Sequence, residues 1–161
     1  KLMIAGKDLN LKPYGIRAMN SLRVEKSYKL VGTELSIEYS PYESGLDRFI
    51  HPNKGDFVGL AALNQWREKG FSNKLVTMEV HGVTDADVLG NNPIYNNGSV
   101  AGRATGGDFG FRLNKSIALG MVKPDLAKVG QKLEIDILGK MHKASIVEDS
   151  PYDPENKLLR A

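Results

Sequence analysis

The chain has 161 residues, 41% hydrophobic and 25% charged, long enough to bury about two-thirds of its unfolded surface and too mixed for a disordered, collagen-like or coiled-coil polymer. Lacking cysteine, it has no disulfide, thiolate metal site or cysteine nucleophile, and it suits a reducing cytoplasm. The net charge of +3 forms no basic block, and the longest stretch without Asp, Glu, Lys or Arg, 88–102, holds four Asn, three Gly and a Pro; neither nucleic acid nor a membrane is expected as a partner.

The opening Lys1-Leu2-Met3-Ile4-Ala5-Gly6 reads as the end of a helix closed by glycine, so the chain is expected to begin inside a larger protein. A helix over 14–29 follows from good helix formers after Pro13, with Ile16, Met19 and Leu22 on one apolar face. Ser40-Pro41-Tyr42-Glu43 has the spacing of a capping box, and Leu46–Ile50 is expected to be extended. Asp56–Lys69 predicts a second helix, with Phe57, Val58, Leu60, Leu63 and Trp66 at helical spacing and a stop at Gly70.

From Lys74 the period changes to two. Val76, Met78 and Val80 alternate with Thr77, Glu79 and His81, which predicts a half-buried strand. Asn97-Gly98 predicts a tight hairpin between Ile94-Tyr95 and Val100-Ala101. Ile117, Leu119 and Met121 alternate, as do Leu133, Ile135 and Ile137; a turn at Gly139-Lys140 then leads to a strand through Ala144, Ile146 and Val147. The fold class is therefore α+β, a helical and extended N-terminal portion followed by an antiparallel barrel or jelly-roll-like sandwich. From Ser150 the tail is expected to be irregular.

Motifs that carry chemistry are scarce. His51, His81 and His142 are not spaced to share a metal. Asp85-Ala-Asp87 with Gly90 begins like a calcium loop but has Leu89 at the fifth place and Asn96 at the twelfth, so a turn is expected. Gly102, Gly106, Gly107 and Gly110 fit no phosphate-binding fingerprint and are expected at turns and bulges. Asp108-Phe109-Gly110 lacks the rest of a kinase, and no serine sits in a nucleophile elbow. The residues alone name no reaction.

Ordered blocks say more. Gly15-Ile-Arg-Ala-Met-Asn-Ser-Leu-Arg-Val-Glu-Lys26, Ser40-Pro-Tyr-Glu-Ser-Gly-Leu46 and Gly55-Asp-Phe-Val-Gly-Leu-Ala-Ala-Leu63 resemble the C-terminal half of the folate-dependent aminomethyltransferase family, which includes the T-protein of the glycine cleavage system. Gly98-Ser-Val-Ala-Gly-Arg-Ala-Thr-Gly106, Phe109-Gly-Phe-Arg-Leu-Asn-Lys-Ser-Ile-Ala-Leu-Gly120 and Tyr152-Asp-Pro-Glu-Asn-Lys157 most resemble the carboxyl ends of dimethylglycine and sarcosine dehydrogenases, where the module follows a flavin domain. The resemblance implies two parts, residues 1–72 from the folate-binding domain and 73–161 as the C-terminal barrel.

It also implies tetrahydrofolate held at the centre of a three-part, clover-like arrangement, where it captures a one-carbon unit from a methylated amine. FAD would belong only to a domain outside this chain. The family's acid-base aspartate and pteridine-gripping glutamate precede Lys1, so no catalytic residue is expected here and the chain alone should not turn over. The partners implied are folate, an upstream folate-binding domain and, in the dehydrogenase branch, a flavin domain.

Expected folate contacts are Met19, where the glycine-cleavage branch has an arginine; Arg48, where related modules often carry an aromatic; Glu43; and Phe109. Each has a plainer alternative. Met19 and Phe109 fit a core, Glu43 its capping box, and Arg48 a surface ion pair. Arg17 and Arg23, six apart on the first helix, should not both point inward. Two further possibilities are a non-catalytic binding or assembly module and a folate protein serving RNA modification, the latter opposed by the lack of a basic patch.

Overall fold

A computed structural model describes residues 1–83 and 85–161. Six antiparallel strands, β1 (Lys74–Val80), β2 (Pro93–Asn96), β3 (Ser99–Gly110), β4 (Lys115–Val122), β5 (Lys132–Ile137) and β6 (Lys140–Val147), close into a barrel in the order β1-β4-β3-β2-β5-β6. Closure leaves no sheet edge and decides for a barrel over a jelly roll. The helices are α1 (Leu2–Ala5), α2 (Ile16–Glu25) and α3 (Leu60–Lys69). Among the described residues, no helix is long and apolar enough to cross a membrane.

The barrel interior is filled by Val76, Met78, Val80, Ile94, Leu133, Ile135, Ile137 and Ile146 together with small residues of β3 and β4. Small residues are needed there. A Cβ on Gly120 would lie 2.7 Å from Ile94 Cδ1 and 3.0 Å from Met78 Cε. Ala118, Gly120 and Val122 point inward, while Leu119 and Met121 face outward and pack with Leu75 and Tyr39 in a second apolar cluster.

The N-terminal segment covers this outer face, so β1 and β4 are buried on both sides rather than half-buried. Thr77, expected to face solvent, is 1% exposed because its hydroxyl lies 2.7 Å from Ser27 Oγ and donates to Asp149 Oδ1 at 2.9 Å. β5 keeps the simple alternation. Single-strand periodicity cannot anticipate a second layer contributed by distant sequence.

Other expectations change in detail. The hairpin turn at Asn97 (φ +49°) and Gly98 (φ +77°) forms as predicted, whereas the turn between β5 and β6 sits one residue earlier, at Leu138 (φ +52°) and Gly139 (φ +79°). Leu46–Ile50 is not extended. A 3₁₀ turn occupies Asp47–Phe49, closed by Phe49 N–H to Leu46 O and Ile50 N–H to Asp47 O. α3 starts at Leu60, not Asp56, because Gly59 at φ +96° breaks helical geometry, and none of its residues is buried.

Of the four glycines of β3, Gly106 lies at the bulge in pairing with β4 and Gly102 flanks the one in pairing with β2. Three permit close approach: a Cβ at Gly102 would lie 2.0 Å from Met121 O, at Gly107 2.7 Å from Ile117 O, and at Gly110 2.9 Å from Glu25 Cγ.

Candidate functional site

The helix α2 forms inside the predicted 14–29 but ends four residues early, at Glu25, and it buries the opposite face. Ile16, Met19 and Leu22 are exposed, while Ser21, Val24 and Glu25 are buried against the barrel. The reason is that α2 docks on β3 through polar groups that answer backbone atoms. Ser21 Oγ donates to Phe109 O at 2.6 Å, and Asn20 Nδ2 donates to Gly107 O at 3.2 Å and to Asp108 Oδ2 at 2.9 Å.

Glu25 is 0% exposed. Its carboxylate accepts from the backbone N–H groups of Arg112 at 2.7 Å and Leu113 at 3.3 Å, and from Arg112 Nε at 2.8 Å. These bonds fix the turn between β3 and β4 beside the helix.

The apolar face of α2 left uncovered forms one wall of a groove of about 520 Å³. Met19 and Leu22 face Tyr28 and Leu30 after the helix and Tyr152, Leu158 and Leu159 of the tail. The tail is irregular, as expected, apart from a 3₁₀ turn at Leu158–Arg160, but it is firmly attached. Lys26 Nζ donates to Tyr152 O at 3.1 Å, Asp153 O at 2.7 Å and Asn156 Oδ1 at 2.7 Å, and Ser150 Oγ donates to Lys26 O at 2.8 Å.

Arg112 lies over the Tyr152 ring, 4.2 Å from its centroid. Burial pushes its guanidinium down, but Tyr152 and Glu25 more than offset this and hold it above its ordinary value. Arg23 turns inward and Arg17 outward. Arg23 donates to Asn20 Oδ1 at 3.0 Å and Tyr28 O at 2.8 Å and lies 3.8 Å from Glu34; burial lowers its pKa against the opposing fields of Glu34 and Asp108. Arg17 pairs with Asp87 in the segment read as a turn.

The four expected folate contacts do not converge. Met19 lines the groove just described. Phe109 lines a second depression of about 400 Å³ on another side of α2, edge-on to Phe111 with ring centroids 5.1 Å apart. Arg48 rests over the Phe49 ring at 4.7 Å and lines neither space.

Glu43 is engaged in structure. Its Oε2 accepts from Ser40 N and Ser40 Oγ, both at 2.9 Å, and its Oε1 from Asn73 N at 3.0 Å, which closes the capping box and ties it to the start of β1. Burial pushes this carboxyl up, but the bonds from Ser40 and Asn73 outweigh it and hold it below the ordinary glutamate range. Sequence reasoning missed Tyr28, Arg112 and Tyr152 as partners of Met19. The last two lay in resemblance blocks, but nothing in their spacing brings them to α2.

Residues 73–153 match the glycine cleavage T-protein C-terminal barrel domain, and residues 1–54 match the GCVT N-terminal domain. The chain belongs to the glycine cleavage T-protein family. It is 36% identical over 150 residues to mitochondrial dimethylglycine dehydrogenase of Rattus norvegicus, covering 92% of this chain and 17% of that protein. It is also 36% identical over 146 residues to an aminomethyltransferase of Synechocystis sp., covering 90% and 39%. The chain thus spans well under half of these relatives. The crystal structure of glycine cleavage system aminomethyltransferase T from Bartonella henselae shares the fold, with a TM-score of 0.83 at 22% identity over 92% of this chain and 42% of that one.

Proposed function

We propose that this T-protein family chain supplies one wall of a tetrahydrofolate site in a longer one-carbon transferase, of the aminomethyltransferase or the dimethylglycine or sarcosine dehydrogenase type. The observation that carries this reading is the groove along α2. Its lining of Met19, Leu22, Tyr28, Leu30 and Tyr152 suits a flat heteroaromatic ring. When bound, tetrahydrofolate supplies the amine nitrogen that takes up a one-carbon unit from the amine substrate.

The residues of this chain hold and exclude. Met19 and Leu22 present apolar surface that keeps water from one side of a ligand, Tyr28 and Tyr152 offer faces for stacking, and Glu25 fixes Arg112 at the rim. The one carboxylate in the groove lining, Asp153, is committed to the N–H groups of Lys157 at 2.8 Å and Leu158 at 3.2 Å. The family resemblance assigns proton transfer to another part of the longer protein, in line with a division into residues 1–72 and 73–161; the two matched segments, 1–54 and 73–153, support that division. FAD, in the dehydrogenase reading, belongs to another domain.

Tetrahydrofolate titrated into the chain should raise its melting temperature saturably. Met19→Glu should abolish that rise while leaving the unliganded melting temperature within a few degrees, because Met19 is 43% exposed. No stabilisation of the chain or of the longer protein overturns the proposal. A second reading, a non-catalytic assembly module, is favoured by exposed Leu2, Ile4, Leu9 and Ile16 on the N-terminal side. It predicts tight association with preceding polypeptide and no response to folate.

A further inference from the structure

The barrel wall carries a second chemical constellation. The strand register sets Ser145 of β6 directly beside Glu79 of β1 and beside Lys132 of β5, and His81 follows two residues after Glu79. Ser145 Oγ lies 2.8 Å from His81 Nε2 and 2.9 Å from Lys132 Nζ.

An ammonium can only donate, so Ser145 Oγ accepts from Lys132; toward His81 Nε2 it donates or accepts according to the imidazole tautomer, and the arrangement that activates the serine directs its hydrogen to Nε2. The imidazole hydrogen is then on Nδ1, which faces Glu79 Oε1 at 3.7 Å, a distance for electrostatic orientation rather than a hydrogen bond. Glu79 is steadied through its other oxygen by Lys115 Nζ at 2.8 Å. A carboxylate, an imidazole and a hydroxyl thus stand in the order of an activated nucleophile, with the Lys132 ammonium against the hydroxyl oxygen and so beside any carbonyl that oxygen attacks.

Ser145 and His81 share a pocket of about 430 Å³ with Tyr95, Asn96 and Asn97 of the β2–β3 hairpin. His81 is half-exposed, so a reagent can reach its ring.

We propose that Ser145 is an acyl-accepting nucleophile, with His81 as its base, that acts on small activated carboxylic esters. Ser145 Oγ bonds to the ester carbonyl carbon as its proton passes to His81 Nε2, and the tetrahedral oxyanion is balanced by the Lys132 ammonium. The carbon–oxygen bond to the alcohol breaks, and the alcohol leaves with the proton from His81. Water, deprotonated by His81, then cleaves the acyl–serine ester, so one ester and one water give one acid and one alcohol. This site is separate from the groove on α2, and its test does not depend on folate.

The chain is incubated with p-nitrophenyl acetate while p-nitrophenolate release is followed, and the acetylated residue is located by peptide mass mapping. The expected result is acetyl on Ser145, with release slowed by at least about tenfold in both Ser145→Ala and His81→Asn. Melting curves confirm that the variants are folded, and His81→Asn, altering a half-exposed residue, serves if the buried serine is needed for stability. Acetyl found only on lysines, or unchanged release in His81→Asn, overturns the proposal.

Discussion

Replacing Glu25 tests whether the link between α2 and the β3–β4 turn is energetic as well as geometric. In Glu25→Ala the part-buried N–H groups of Arg112 and Leu113 lose their acceptor, at about 1–3 kcal/mol for each donor kept from water. The 3.3 Å bond from Leu113 belongs at the lower end of that range. Arg112 is 40% exposed, so its guanidinium regains water and the broken ion pair adds about 1 kcal/mol or less. The expected loss is about 3–4 kcal/mol, a large part of a typical domain's stability. Glu25→Gln keeps an oxygen for Arg112 N–H but turns an amide toward Arg112 Nε, and should cost about half as much. Urea unfolding monitored by circular dichroism gives both values from the midpoint shifts at constant slope. A loss under about 1 kcal/mol in Glu25→Ala, or equal losses in the two variants, would refute the argument.

Three further outcomes follow from the same contacts. Gly102→Ala drives a Cβ into the Met121 carbonyl and should abolish the native circular dichroism spectrum, whereas Gly120→Ala meets mainly side-chain ends and should cost about 1–3 kcal/mol in urea unfolding. The depressed carboxyl of Glu43 contributes stability that is fully present above the unfolded glutamate value of about 4.3 and is lost as pH falls through the lower folded value. The stability gap between the native chain and Glu43→Gln, measured by urea midpoint, should therefore be constant near neutrality and shrink below about pH 4. Lys26→Met removes three hydrogen bonds to the tail, so limited proteolysis should cut within 150–161 faster than in the native chain, while hydrogen exchange in β1 and β4 stays slow.

Local chemistry was the legible part of the fold. Asn97-Gly98 forms its hairpin, Ser40 and Glu43 form their box and Gly70 ends α3, because each depends on residues a few positions apart. Face assignment was not legible. Ile16, Met19 and Leu22 have helical spacing and yet point outward, because the barrel presents backbone carbonyls that Asn20 and Ser21 satisfy. Likewise Leu119 and Met121 alternate correctly but face the outer layer, since Gly120 must yield space to Ile94. Of the candidate site, Met19 could be named from resemblance, whereas Tyr28, Arg112 and Tyr152 meet it only through long-range packing.

The cover over β1 and β4 also sets an order of assembly. Residues 16–46 leave the ribosome before the strands they cover, and the Ser150 and Tyr152 groups that clasp α2 emerge later still. At roughly 5–20 residues per second, the leading segment waits several seconds with Tyr39 and Val24 unsheltered. A nascent chain with α2 outside the exit tunnel and β6 still inside should accordingly be held by chaperones, and one with Tyr152 outside as well should release them.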